Sequence, residues 1–176
     1  MLNIDISNLE SQDLIDFIEN NVEDIKNFEL SIQYKADYSQ SRLIRNLILF
    51  LFEKNGIDVP WKNRFSLISD ELVNNSIEYG SLPLDKNTFL IRFSIIGNIL
   101  YINLEVHDTG KGAFAKNSLQ MENIRKQKML ETQQVYLGKR GRGLFQLVTN
   151  IVDELYFKDK ETGGLIVGVN KKLELS

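Results

Sequence analysis

Thr88-Phe89-Leu90-Ile91-Arg92-Phe93-Ser94-Ile95-Ile96-Gly97-Asn98-Ile99-Leu100-Tyr101-Ile102-Asn103-Leu104-Glu105-Val106-His107-Asp108 decides the fold. Phe89, Ile91, Phe93 and Ile95 fall on one side of an extended chain, and Leu100, Ile102, Leu104 and Val106 repeat the pattern. Gly97-Asn98 between them has glycine at its first position, the mark of a two-residue hairpin turn. The alternation predicts an antiparallel pair with one buried face. The second apolar row does not stop at Val106. Asp108 is next on the same side, so a core-facing row ends in a carboxylate. His107, the only histidine, falls on the opposite row with Asn103 and Glu105 and is expected toward solvent, not as a ligand.

Upstream of the hairpin, Trp61, Phe65, Ile68, Leu72, Ser76 and Tyr79 recur at spacings of three and four. They predict a helix that begins near Trp61 and stops at Gly80. Glu71 and Asn75 are one turn apart at the border of its apolar face, where a carboxylate and a carboxamide can reach into a cleft. Leu43–Glu53 is apolar on most sides and predicts a buried helix, with caps available in Asp37–Ser41 and a stop at Asn55-Gly56. Phe28, Leu30 and Ile32, followed by Tyr34, predict a short strand. Leu9–Ile25 predicts a helix with an acidic, solvated outer face.

Downstream, Asp108-Thr109-Gly110-Lys111-Gly112 closes the strand in a glycine turn. Ala113–Arg140 is a long segment without strand character, with a basic excess and a possible capping box at Asn117–Gln120. Gly138-Lys139-Arg140-Gly141-Arg142-Gly143 runs into a helix striped by Leu144, Leu147, Val148, Ile151, Val152 and Leu155. Leu155–Lys158 and Leu165–Leu173 predict two final strands. Antiparallel strands in runs, with helices between them, predict an α+β two-layer sandwich: a mixed, mostly antiparallel sheet with helices on one face. Residues 1–27 are expected as a helical extension and 28–176 as the main domain.

Composition narrows the function classes. The chain has 176 residues, 43% hydrophobic and 26% charged, enough for one core and too apolar for disorder. A net charge of −3 gives no general affinity for nucleic acid. With no cysteine, disulfides and thiolate metal sites are excluded. The longest apolar run, Leu47–Phe52, is far too short to span a bilayer. The amino terminus lacks a basic region followed by an apolar one, so a cytoplasmic location is expected.

Three features point to one kind of chemistry. Asp108 can accept a hydrogen bond from an amino group on a purine ring, with Gly110 and Gly112 leaving room for it. Gly141 and Gly143, opening a helix beside Lys139, Arg140 and Arg142, can present N–H groups and positive charge to phosphates. The amide oxygen of Asn75 suits Mg²⁺, which takes oxygen ligands and few protein contacts when it rides on phosphates. Glu71 could act as a general base. In order and spacing, these features resemble the N, G1 and G2 boxes of the Bergerat-fold ATPase superfamily of gyrase, histidine kinases and mismatch-repair ATPases. Glu71 and Asn75 match the N box, Asp108, Gly110 and Gly112 match G1, Gly141 and Gly143 match G2, and Ala113–Arg140 matches the nucleotide lid.

Within that superfamily the chain looks most like the anti-sigma-factor serine kinases, which carry Glu-x-x-x-Asn followed by a His-Gly or similar pair, here Tyr79-Gly80. It departs from them in having Gly163-Gly164-Leu165 where the family often has Gly-Thr. The resemblance implies ATP and Mg²⁺ as ligands, with Asn75 on the metal and nucleotide contacts from Asn75, Asp108, Gly110, Gly112, Lys139, Arg140, Gly141, Arg142, Gly143 and Leu144. It also implies transfer of the γ-phosphoryl group to a serine of an anti-sigma-factor antagonist with Glu71 as base, sequestration of a sigma factor or similar regulator, and a possible homodimer. The alternatives are a non-catalytic ATP- or partner-binding switch, and a detached histidine-kinase catalytic domain.

Overall fold

The hairpin forms as its alternation requires. β3 (Lys86–Ile96) and β4 (Ile99–His107) pair antiparallel from Thr88 opposite His107 to Ile96 opposite Ile99. Gly97 takes a φ of +62° at the turn, a conformation open to glycine at little cost. The computed structural model describes residues 1–131, 148 and 150–175. Around the hairpin it places β1 (Leu2–Asp5), α1 (Ser11–Asn21), β2 (Asn27–Lys35), α2 (Tyr38–Lys54) and α3 (Val59–Asn75), followed by a π-helical turn (Ser76–Gly80). After β4 come α4 (Ser118–Glu131), β5 (Glu154–Asp159) and β6 (Leu165–Glu174). The six strands form one sheet in the order β1-β2-β3-β4-β6-β5, in which only β1 and β2 run parallel. The fold is therefore α+β with a mixed, mostly antiparallel sheet.

One face of the sheet is the core. Leu30, Ile32, Phe89, Ile91, Phe93, Leu100, Leu104 and Val169 pack with Ile44, Leu47, Leu51, Phe65, Ile68 and Leu72 of α2 and α3. Phe52 of α2 joins the layers, with its ring 5.1 Å from Phe65 and 5.8 Å from Phe93. The opposite face is mostly polar. There Glu105 accepts from Tyr156 Oη at 2.6 Å and lies 2.9 Å from His107 Nε2. Arg92 bonds Glu29 and Asn103, each at 2.6 Å. His107 thus sits on the predicted row, half-buried against Glu105. A groove of about 660 Å³ opens on this face, and Asn103 in its lining donates to Asn170, also in the lining, and to Tyr156.

The segment 1–27, expected as a helical extension, also holds a strand. Leu2-Asn3-Ile4-Asp5 alternates with period two and pairs with Leu30–Gln33, and Ile6, Leu14 and Ile18 are buried in the shared core. Its helix is shorter than Leu9–Ile25. Glu10 and Asp13 close a capping box at its start, and Val22 is already extended. α2 begins earlier than predicted because Asp37 caps it, accepting from Ser39 N–H at 2.7 Å. α3 begins at Val59, where Asp58 accepts from Trp61 N–H and Pro60 occupies the first turn. The capping box at Asn117 is present in both directions, Asn117 N–H to Gln120 and Gln120 N–H to Asn117, each at 2.9 Å. It opens the fourteen-residue α4. Leu155, expected both in the last helical stripe and at the start of the strand Leu155–Lys158, belongs to β5. Among the described residues, no helix is long and apolar enough to cross a membrane.

Candidate functional site

Asp108 follows β4 on the core side, as the sequence predicts, and is buried. Its Oδ1 accepts the backbone N–H of Leu165 at 2.8 Å and of Gly110 at 2.9 Å. Its own N–H donates to Leu165 O at 3.0 Å. These bonds fix the carboxylate through Oδ1 and leave Oδ2 with no donor among the described residues. Burial pushes the carboxyl above the ordinary aspartate range, while the Leu165 and Gly110 donors and the Lys160 charge pull against it. Lys160 Nζ donates to the Asp108 carbonyl oxygen at 2.9 Å.

Gly80 is a glycine for a reason the sequence does not show. The spacing predicts a helix stop, but Gly80 is not among the residues with positive φ. What requires it is close approach: a Cβ at Gly80 would lie 2.5 Å from the Asp108 carboxyl carbon. Gly110 differs, combining a φ of +69° with a would-be Cβ 2.7 Å from Gly164 Cα. Gly112 N–H donates to Gly80 O at 3.2 Å. Gly80, Gly110 and Gly164 thus crowd Asp108, and Gly112 packs on the backbone of Tyr79–Ser81.

The path from Asp108 to Glu71 and Asn75 runs back along the helix. The last turn before Gly80 is π-helical, a form that often marks functional sites. Asn75 ends α3 and Glu71 lies one turn earlier, both half-buried on the same shoulder. Burial raises the Glu71 carboxyl above its ordinary value, and the charges of Asp70 and Glu78 add to the effect. Asp70 is engaged elsewhere, accepting from Arg45 at 2.9 Å and Ser41 at 3.0 Å. The neighbouring Asn74 carries a buried Oδ1 without a donor among the described residues. Two adjacent carboxamides therefore end α3, and either oxygen could serve a cation held chiefly by phosphates. No group of three or more His, Cys, Asp or Glu able to hold a metal occurs among the described residues.

The sequence motifs missed a set of polar residues beside this site. Ser81, Asn87 and Thr109 form a buried or half-buried chain from the π turn to the glycine turn. A polar residue at 87, continuing the apolar row of Phe93, Ile91 and Phe89, was the available signal. Of the predicted lid, residues 113–131 are described and include α4. α4 is tied to β5 by Ser118 N–H and Oγ on the Asp159 carboxylate, both at 2.7 Å. Lys139, Arg140, Gly141, Arg142, Gly143 and Leu144 lie outside the described residues. No protein-family model matches the chain, and no curated protein matches it.

Proposed function

We propose that this chain binds ATP with Mg²⁺ and works as a cytoplasmic regulatory serine kinase of the anti-sigma type, with a Bergerat fold. The observation that carries the nucleotide part is the Asp108 carboxylate. It is buried, clamped through one oxygen by two backbone donors, and open at the other oxygen beside a glycine. The Oδ2 lone pairs, without a donor among the described residues, are available to a donor that enters. The exocyclic amino group of adenine is such a donor, and a guanine carbonyl at that position is not.

Asn75 would hold Mg²⁺, with Asn74 as the neighbouring candidate. The metal would neutralise phosphate charge when bound. Lys139, Arg140 and Arg142, with the Gly141 and Gly143 backbone, are the proposed phosphate site. Glu71, its carboxyl raised by burial, takes the proton of an attacking serine hydroxyl more readily than a fully solvated glutamate does. The proposed acceptor is a serine of an antagonist protein, and the proposed regulator is a sigma factor or a protein of like role.

The test is incubation with γ-labelled ATP and candidate partners. Label that survives acid, is lost in alkali and is recovered as phosphoserine on hydrolysis supports the kinase. Acid-labile label favours a histidine-kinase catalytic domain. ATP binding without transfer to any partner favours the non-catalytic switch.

A further inference from the structure

Three neighbouring strands change character at the same end of the sheet. The apolar rows Leu30-Ile32 of β2, Phe93-Ile91-Phe89 of β3 and Ile102-Leu104-Val106 of β4 continue into Tyr34, Asn87 and Asp108. Tyr34 and Asn87 are register partners. Both are almost wholly buried, at 0% and 1% exposure. An apolar side chain would meet the packing requirement at either place, so their polarity needs its own cause.

The hydrogen bonds supply it, and each proton can be assigned once. Ser76 Oγ donates to Val73 O at 2.7 Å. It therefore accepts from Tyr34 Oη at 2.7 Å and from Asn87 Nδ2 at 3.3 Å. Asn87 Oδ1 accepts from Ser81 Oγ at 2.6 Å. With its proton spent, Ser81 Oγ accepts the Thr109 N–H at 3.1 Å. Thr109 Oγ1 donates to Asp85 Oδ2 at 2.7 Å, and Leu82 N–H donates to the same oxygen at 3.1 Å. From the Thr109 N–H the bonds run one way, through Ser81, Asn87 and Ser76 to Val73 O, and Thr109 Oγ1 donates the other way to Asp85. The chain joins the π turn that follows Asn75 to the residue that follows Asp108.

We propose that Ser81 and Asn87 are positioning residues for the base-recognising turn. They hold Thr109, and through it the Asp108–Gly110 backbone, in register with the end of α3. The proposal rests on the nucleotide reading of Asp108. Neither residue touches the nucleotide. They act by keeping Asp108 Oδ2 aimed while Oδ1 stays on Leu165 and Gly110.

The test uses the full chain in three forms: wild type, Ser81→Ala and Asn87→Leu, with Ser81→Thr as the conservative variant. Asn87→Leu continues the apolar row and removes the acceptor for Ser81, so it probes the chain independently if Ser81→Ala folds poorly. Calorimetry measures affinity for ATP and for inorganic tripolyphosphate, which lacks the base. Amide hydrogen exchange of the free protein follows Thr109 and Gly110. We expect both truncating variants to lose ATP affinity by about tenfold and to keep tripolyphosphate affinity. We expect exchange at Thr109 to rise about tenfold with β4 unchanged, and Ser81→Thr to restore both readouts. Unchanged exchange at Thr109 in both truncating variants overturns the proposal. Equal losses for ATP and tripolyphosphate overturn it too, since they mark general loosening. If wild type binds neither ligand, the nucleotide reading fails and the ligand half of the proposal with it. The exchange arm then still decides whether Ser81 holds Thr109.

Discussion

Replacing Gly80 by alanine adds one methyl group where the structure has no room for it. Its carbon would lie 2.5 Å from Asp108 Cγ and 2.6 Å from Asp108 Cβ, both well inside van der Waals contact. Relief requires one of two movements. The Asp108 side chain can swing away, but Oδ1 then leaves the Leu165 and Gly110 N–H groups. Hydrogen bonds to a charged acceptor are worth about 1.5–3 kcal/mol each, so this route costs roughly 3–6 kcal/mol. Alternatively, the π turn can shift, at the roughly 1–3 kcal/mol typical of overpacking, and it then strains the Gly112 N–H to Gly80 O bond. The cheaper route sets the outcome, about 2 kcal/mol of stability. For a chain of this size that is a fall in Tm of roughly 4–8 °C.

The decisive assay is a double-mutant cycle in urea with Asp108→Ala. Removing the carboxyl group removes the nearest atoms the methyl strikes but leaves the residue 108 Cβ 2.6 Å away, so Gly80→Ala should cost less in that background without becoming neutral. The coupling should recover about 1 kcal/mol. A Gly80→Ala penalty of equal size with and without the Asp108 carboxylate would refute the contact as the reason for glycine.

Four further outcomes follow from the same geometry. Asp108→Asn keeps an oxygen for Leu165 and Gly110 and removes a charge that burial disfavours, so the fold should stand. ATP affinity should fall by about 30- to 150-fold, from the roughly 2–3 kcal/mol of a lost buried contact, as read by calorimetry; unchanged affinity in the folded variant would take Asp108 out of the site. Asn75→Ala should lose the gain in ATP affinity that Mg²⁺ brings, in titrations with and without the metal. If Asn74→Ala loses it instead, the buried Asn74 oxygen is the ligand. Glu71→Gln should bind ATP normally and slow single-turnover transfer by roughly 10²–10⁴-fold; an equally fast variant would deny Glu71 the role of base. On the other sheet face, His107, Tyr156 and Arg92 hold the Glu105 carboxyl down to about 2. Because this value is depressed on folding, the stabilisation is complete above about pH 4.5 and is lost as pH falls toward 2. The margin of wild type over Glu105→Gln should therefore shrink by about 3 kcal/mol across that window in urea melts, and a constant margin would exclude the ion cluster as its source.

Local periodicity made much of this molecule legible. The β3–β4 hairpin, the apolar face of α3, the caps at Asp37 and Asn117, and the carboxylate closing the β4 row all follow from neighbours within a few residues. Leu2–Asp5 carries the same alternation, but four residues give it too little weight, and its partner Leu30 is remote in sequence. The π turn leaves no mark in the apolar spacing. The causes of Gly80, Ser81 and Asn87 lie across space, in Asp108 and Thr109. Sequence pattern records which face a residue occupies, whereas these residues are set by what approaches them from another element. The position of β6 between β4 and β5 is of the same kind, since strand order depends on long-range pairing that no single segment encodes.

That position has a consequence during synthesis. When β4 has left the ribosome, its outer edge has no neighbour until Leu165–Glu174 emerges, because β5, made in between, pairs only with β6. The nascent chain therefore carries a long strand edge flanked by apolar side chains, the kind of surface that recruits chaperones and invites mispairing. On the nucleotide reading proposed above, the same delay would govern ligand binding. Asp108 takes its clamp from the Leu165 N–H and packs against Gly164, so its carboxylate is held only after the segment that begins β6 has docked. A ribosome-bound fragment ending before Gly163 would carry every residue of the helix and the glycine turn and still have no fixed Asp108. Competence to bind would then arrive only with the last strand, too late for a ligand to rescue a half-made chain.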